Sequence, residues 1–190
     1  MDVHTWITND LVSVRSKLHD SVLSVVPVQR WVEQVDDAGS SIAHLLLHVA
    51  RHQDLAVTTA IRNHPPLFEA HRAALGLQDA PSFAGLPERE DGALSAALAL
   101  DPLLTYVDAV FSATRSWLHT VGTMAFDTVP QTSHRLAELA SLSIDDVGWL
   151  HRMWNGKPVW WLVQWPVIGH GHAHVGEAIS VRNRMGLSPF

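Results

Sequence analysis

Cysteine is absent from all 190 residues. Without a thiol there is no disulfide framework, no thiolate nucleophile and no cysteine-bound zinc ribbon. Any metal must therefore be held by His, Asp or Glu. Long apolar runs are missing as well: no stretch of about 18 residues is free of charge or strong polar breaks, so no membrane-spanning helix is expected. A basic excess is also lacking. The formal charge is −6, and the 13 Lys and Arg residues are scattered, whereas a nucleic-acid surface collects phosphates on a basic stripe. The opening MDVHTWITNDLV has neither the basic start nor the apolar core of a signal peptide, and a cytoplasmic protein is expected. No period-two alternation persists along the chain, and there is no internal repeat or low-complexity tract.

What the chain has in quantity is histidine, with 13, and tryptophan, with 8. Its length suits one domain over 1–190 with a single well-buried core. Four long helices are predicted. The first runs from about Asp2 to Val26, with Trp6, Leu11, Val14, Leu18, Val22 and Val25 at helical spacing, and Pro27 stops it. The second follows Ser40 or Ser41 as N-cap and ends near Asn63, before HPP. The third opens with Asp101 as cap and Pro102 at the first helical position, behind a shorter helix over 92–100. The fourth runs from near Pro166 to Met185, where Gly186 supplies a stop. Shorter helical pieces are expected around 69–75, 134–139 and 144–154. Two long connections between the helices indicate an all-α four-helix bundle with crossover connections, and such connections often wall a pocket.

Two helices carry the histidines that matter. In GHGHAHVGEA, His170 and His174 are four apart and share a face, while His172 points to the other side. Val167, Ala178, Val181 and Met185 lie on the stripe of the pair, which places two imidazoles in a core-facing seam. Unpaired burial there costs on the order of 1–3 kcal/mol per group, so the pair needs hydrogen-bond partners or a metal. The bland alternative is a pair of core histidines satisfied by backbone. In SIAHLLLHVARHQDLAV, His44, His48 and His52 climb one face at the edge of the apolar side through Ile42, Leu45, Val49 and Ala56. Spacing lets this helix donate one ligand without saying which, and His52 lies nearest the apolar centre. Two histidines from one helix and one from another would make a three-ligand site with an open position, the arrangement of a reaction centre rather than a closed structural site.

The segment around LLLHVA resembles the H-[IVL]-A signature of the DinB/YfiT-like superfamily, and HGHAHVGEAISVRNRMGL resembles its C-terminal H-x-x-x-H. That resemblance implies a four-helix bundle and a metal held by His48, His170 and His174, with His48 preferred because Val49 and Ala50 follow it. It also implies thiol-dependent transfer or isomerisation with a low-molecular-weight thiol such as bacillithiol or mycothiol. The absence of cysteine suits an external thiol, which a divalent metal would deprotonate for attack on an electrophilic small molecule. Zinc heads the candidate ions, with Ni²⁺, Fe²⁺ and Co²⁺ compatible with the same ligands.

Around this core, Glu177 is a candidate to accept from a ligand imidazole or act as a base, Asp54 to orient a ligand imidazole, and Trp149, Trp154 and Trp160 to wall a pocket. No other catalytic constellation is visible. A metal-activated hydrolase is the nearest enzymatic alternative, and a non-catalytic metal- or ligand-binding bundle comes from another class. A second apolar strip on the fourth helix, through Ile168, His172 and Ile179, admits a homodimer.

Overall fold

The computed structural model describes residues 2–35 and 39–189, and all of its regular structure is helical. Helix α1 spans Val3–Leu18, opened by Asp2, whose carboxylate accepts from the Thr5 amide at 2.8 Å. Its buried residues, Ile7, Leu11, Val14 and Leu18, repeat at three and four, the period that gives a helix one apolar face. One wide turn, His19–Leu23, extends it.

Helix α2, Ile42–Asp54, begins at Ser41, whose hydroxyl accepts from the His44 amide at 3.1 Å. Every residue of α2 is buried. Its histidines, expected at the edge of the apolar side, are thus enclosed with Arg51 and Gln53. The reason is the connection that follows: α3 (Leu67–His71) and the loop down to α4 (Gly92–Ala97) fold back over the outer face of α2. A wide turn, Leu55–Ile61, continues α2.

Helix α5, Leu100–Thr120, begins two residues earlier than the sequence suggests, with Ala99 rather than Asp101 at the cap. After it come α6 (Thr132–Ala140) and α7 (Ile144–Trp154), the latter opened by a reciprocal Ser143–Asp146 capping box. Then α8 (Val159–Leu162) leads through Val163–Gly169 into α9 (His170–Arg182). Pro166 sits inside that link. Its missing N–H and its ring break the regular ladder, so the backbone takes a wider turn there. The fourth helix is therefore regular only from His170 onward, and it ends beyond Asn183–Leu187, where Gly186 takes φ +78°.

Helices α1, α5, α2 and α9 form a closed ring in which α1 packs on α5 and α9, and α2 packs on the same two. The α1–α9 approach is close: a Cβ on Gly171 would lie 3.0 Å from Val14 Cγ1. Among the described residues, no helix is long and apolar enough to cross a membrane.

Candidate metal centre

The contact between α2 and α9 brings three imidazoles together. His48 stands in the middle of α2, His170 is the first residue of α9, and His174 follows one turn later. His170 Nε2 is 3.1 Å from both His48 Nε2 and His174 Nε2. All three rings are buried, with residue exposures of 1%, 6% and 8% for His48, His170 and His174.

The protons on these rings can be assigned from their outer partners. His48 Nδ1 lies 2.9 Å from the Gly85 carbonyl, which can only accept, so Nδ1 carries the hydrogen. His174 Nδ1 lies 2.9 Å from a Glu177 carboxylate oxygen and carries a hydrogen on the same ground. In the neutral rings both Nε2 atoms then present lone pairs to the centre. His170 Nε2 lies between them and can give a proton to one at most, while its Nδ1 is buried without a hydrogen-bond partner among the described residues. Lone pairs converging at this range repel unless a cation sits among them. Tetrahedral zinc–imidazole bonds of about 2.0–2.1 Å require nitrogen separations of about 3.3–3.4 Å, so the two 3.1 Å separations from His170 need to open by only a few tenths of an ångström. The residues fit a divalent metal.

A fourth donor enters from the long connection. Glu88 places one carboxylate oxygen 3.7 Å from His48 Nε2 and the other 3.6 Å from His174 Nε2. One oxygen of Glu88 and one nitrogen from each of His48, His170 and His174 all lie within 4.8 Å of one another. The set is therefore His₃Glu, whereas the sequence suggested three histidines and an open position. Glu88 is invisible to periodicity because it lies in GLPEREDG, outside any helix. The only hint in the sequence was that long connections tend to wall sites.

Side chains of α2 hold this loop by its backbone. Arg51 Nε donates to the Ala84 carbonyl at 3.1 Å and Nη2 to that of Ser82 at 2.5 Å. His48 Nδ1 takes Gly85, and His52 Nε2 lies 3.3 Å from the Leu86 carbonyl. Three successive carbonyls, 84 to 86, are thus gripped by three residues of one helix. On the other side of Glu88, Glu90 accepts from the Ser41 amide and from the Ser41 hydroxyl, the latter at 2.9 Å. Glu88 is held between two anchors. Gly85 makes the path feasible: its φ is +77°, and a Cβ there would lie 2.7 Å from Leu47 Cγ.

Electrostatics favour ligation at neutral pH. Burial above all, then the His48 and His174 charges, pushes the His170 pKa down to about 3. The contact with His48, with the fields of the three histidines, brings the Glu88 carboxyl down to about 2 despite partial burial. Glu177 is lowered by its bond to His174. One imidazole and two carboxylates are therefore in the forms that bind cations.

The remaining candidates fall on either side of this centre. His52 packs on it, its ring 4.4 Å from His170 and 4.6 Å from His48, but its Nε2 turns to the loop. Burial pushes its pKa well down. Trp149 and Trp154 each lie 5.9 Å from the His52 ring and so flank His52 rather than roof the three nitrogens. Two expectations are corrected. Asp54 orients no imidazole: its carboxylate accepts from the Leu67 and Phe68 amides at 3.1 and 2.9 Å and from the Tyr106 hydroxyl at 3.0 Å, tying α3 and α5 to α2. Trp160 is 49% exposed and lines a separate cleft beside Trp6. His172 stays outside the group, close enough to Lys17 and Asp10 to feel their charges.

No family model matches the chain, and no curated protein does. Among solved structures, a conserved protein from Enterococcus faecalis is similar over 98% of this chain and 99% of that one, with a TM-score of 0.69 and 18% identity. At that identity the likeness is one of fold. The fold is shared.

Proposed function

We propose that this chain is a metal-dependent enzyme of the DinB/YfiT-like class that transfers a low-molecular-weight thiol onto an electrophilic small molecule. The observation that carries the metal part is the convergence of the His48, His170 and His174 Nε2 atoms, two of them bared by outer hydrogen bonds, with Glu88 at their open side. The class assignment is supported by H-V-A at 48–50 and H-x-x-x-H at 170–174, borne on two helices packed together.

In this reading His48, His170, His174 and Glu88 hold the ion, and Glu177 and the Gly85 carbonyl keep the imidazoles turned toward it. A divalent ion held there would stabilise a thiolate at neutral pH. The thiol loses its proton to solvent on the Glu88 side, where that side chain is 72% exposed. Its sulfur attacks an electrophilic carbon, the S–C bond forms, and the leaving group departs with the electron pair of the bond it breaks. Burial of the three imidazoles keeps water from competing on the inner side. The absence of cysteine from the chain leaves the nucleophile to the cosubstrate.

A non-catalytic metal site is the second reading, and the fourth donor favours it: four protein ligands are the pattern of closed, structural sites. Turnover with a panel of low-molecular-weight thiols and a generic electrophile separates the two. Metal-dependent turnover abolished in His170→Ala is the expected result. Stoichiometric metal with no turnover for any thiol establishes the second reading instead.

A further inference from the structure

A cleft of about 590 Å³ lies between the start of α1, the turn Thr123–Asp127 and the α8–α9 link. None of His48, Glu88, His170 and His174 lines it. Three aromatic residues line it: Trp6 is 54% and Trp160 49% exposed, and Phe126 is buried. Two half-exposed indoles lining one concave site present ring surface that a ligand can cover. The polar side chains in the lining are Asp10, Thr123, Asp127 and Gln164. Asp10 and Asp127 both face the cleft region, and no Lys, Arg or His is among its lining residues. Neither carboxylate forms an ion pair among the described residues. His172, which feels the charges of both Asp10 and Lys17, lies outside the lining, as does Lys17.

We infer that this cleft binds a small organic ammonium cation, held between the Trp6 and Trp160 indoles with Asp10 and Asp127 supplying the countercharge. Indole faces attract cations more strongly than any other side-chain ring, and apolar substituents on the nitrogen would fill the rest of the space. The volume is that of an ordinary small-ligand pocket. A neutral apolar occupant would strip water from two carboxylates without compensation. A second copy of the chain docking through the same face would set acidic rim against acidic rim, with no basic residue of the cleft to answer it. The inference is independent of the metal reading, because it uses none of the same residues.

The test is an NMR titration of indole N–H signals in the intact protein, with choline and its uncharged carbon analogue, 3,3-dimethyl-1-butanol. The two relevant signals are assigned from Trp6→Phe and Trp160→Phe. Choline is expected to shift both in a saturable way and to bind roughly fivefold or more tighter than the alcohol. Asp10→Asn with Asp127→Asn should weaken choline by a similar factor and leave the alcohol unchanged. Asp127→Asn alone, on an exposed turn, gives a partial loss in the same direction. Equal affinity for both probes, shifts confined to other indoles, no saturable shift, or indifference to the Asp substitutions would each overturn the inference.

Discussion

His170 Nε2 lies 3.1 Å from His48 Nε2 across 122 positions of sequence, and His48 Nδ1 gives its hydrogen to the Gly85 carbonyl. The second contact decides the meaning of the first. With Nδ1 protonated in the neutral ring, His48 turns a bare lone pair on His170, and His174 does the same from the next turn of α9. A hydrogen-bonded core pair would alternate donor and acceptor. Here His170 Nε2 can answer one of the two lone pairs at most, so at least one contact sets acceptor against acceptor, and that is the arrangement a cation resolves.

The Glu177 carboxylate is the outer partner of His174. Glu177→Gln is expected to weaken metal binding by roughly 10–100-fold without abolishing it, because the imidazole loses a strong acceptor but keeps its place. Competition against a chromophoric chelator measures this. An unchanged affinity would show that the Glu177 contact does not tune the site.

Gly85 sits where φ is positive and where a Cβ would run into Leu47. Gly85→Ala is expected to cost about 2–4 kcal/mol in urea unfolding, from backbone strain plus overpacking. It should also weaken metal binding, since the loop that carries Glu88 must shift. A loss within about 0.5 kcal/mol, the scatter of neutral surface changes, would mean that α2 does not hold the loop as tightly as Arg51, His48 and His52 imply.

In metal-free protein, His170 is pushed to about 3 and His52 well below 6.5, both chiefly by burial, and His44 is lowered for the same reason. Unfolded, these rings titrate near 6.5. The unfolded chain therefore binds more protons as the pH falls below that value. Their contribution is fully present above pH 6.5 and is lost as the pH falls through each folded value, for His170 toward about 3, on the order of 1.4 kcal/mol per pH unit while that ring stays neutral. Thermal unfolding of chelator-treated protein should show Tm falling steadily from about pH 7 to about pH 5. A flat or rising Tm over that span would contradict the burial of these rings.

How far the sequence carries the fold and the site can be seen residue by residue. The four long helices follow from apolar spacing, and Ser41 is the cap that its sequence context suggests. His170 and His174 follow from a four-residue step on an apolar stripe. His48 does not, because periodicity favours His52. What separates them is the loop: His52 Nε2 is taken by the Leu86 carbonyl, whereas His48 uses Nδ1 for Gly85 and leaves Nε2 for the centre. That choice depends on a contact between positions 37 residues apart, which no local pattern contains. Glu88 was out of reach for the same reason. Asp54 looked like a partner for an imidazole because it is a carboxylate near histidines in sequence, but helix geometry sends it toward α3 and Tyr106.

The most direct test of the central claim is the metal content of purified wild-type protein, never exposed to chelator, beside His48→Ala and His52→Ala. One divalent ion per chain is expected in the wild type and in His52→Ala, with His48→Ala reduced to a small fraction. Wild-type protein that carries no metal and takes up none from added Zn²⁺ or Ni²⁺ would contradict the claim, as would His48→Ala that retains a full equivalent.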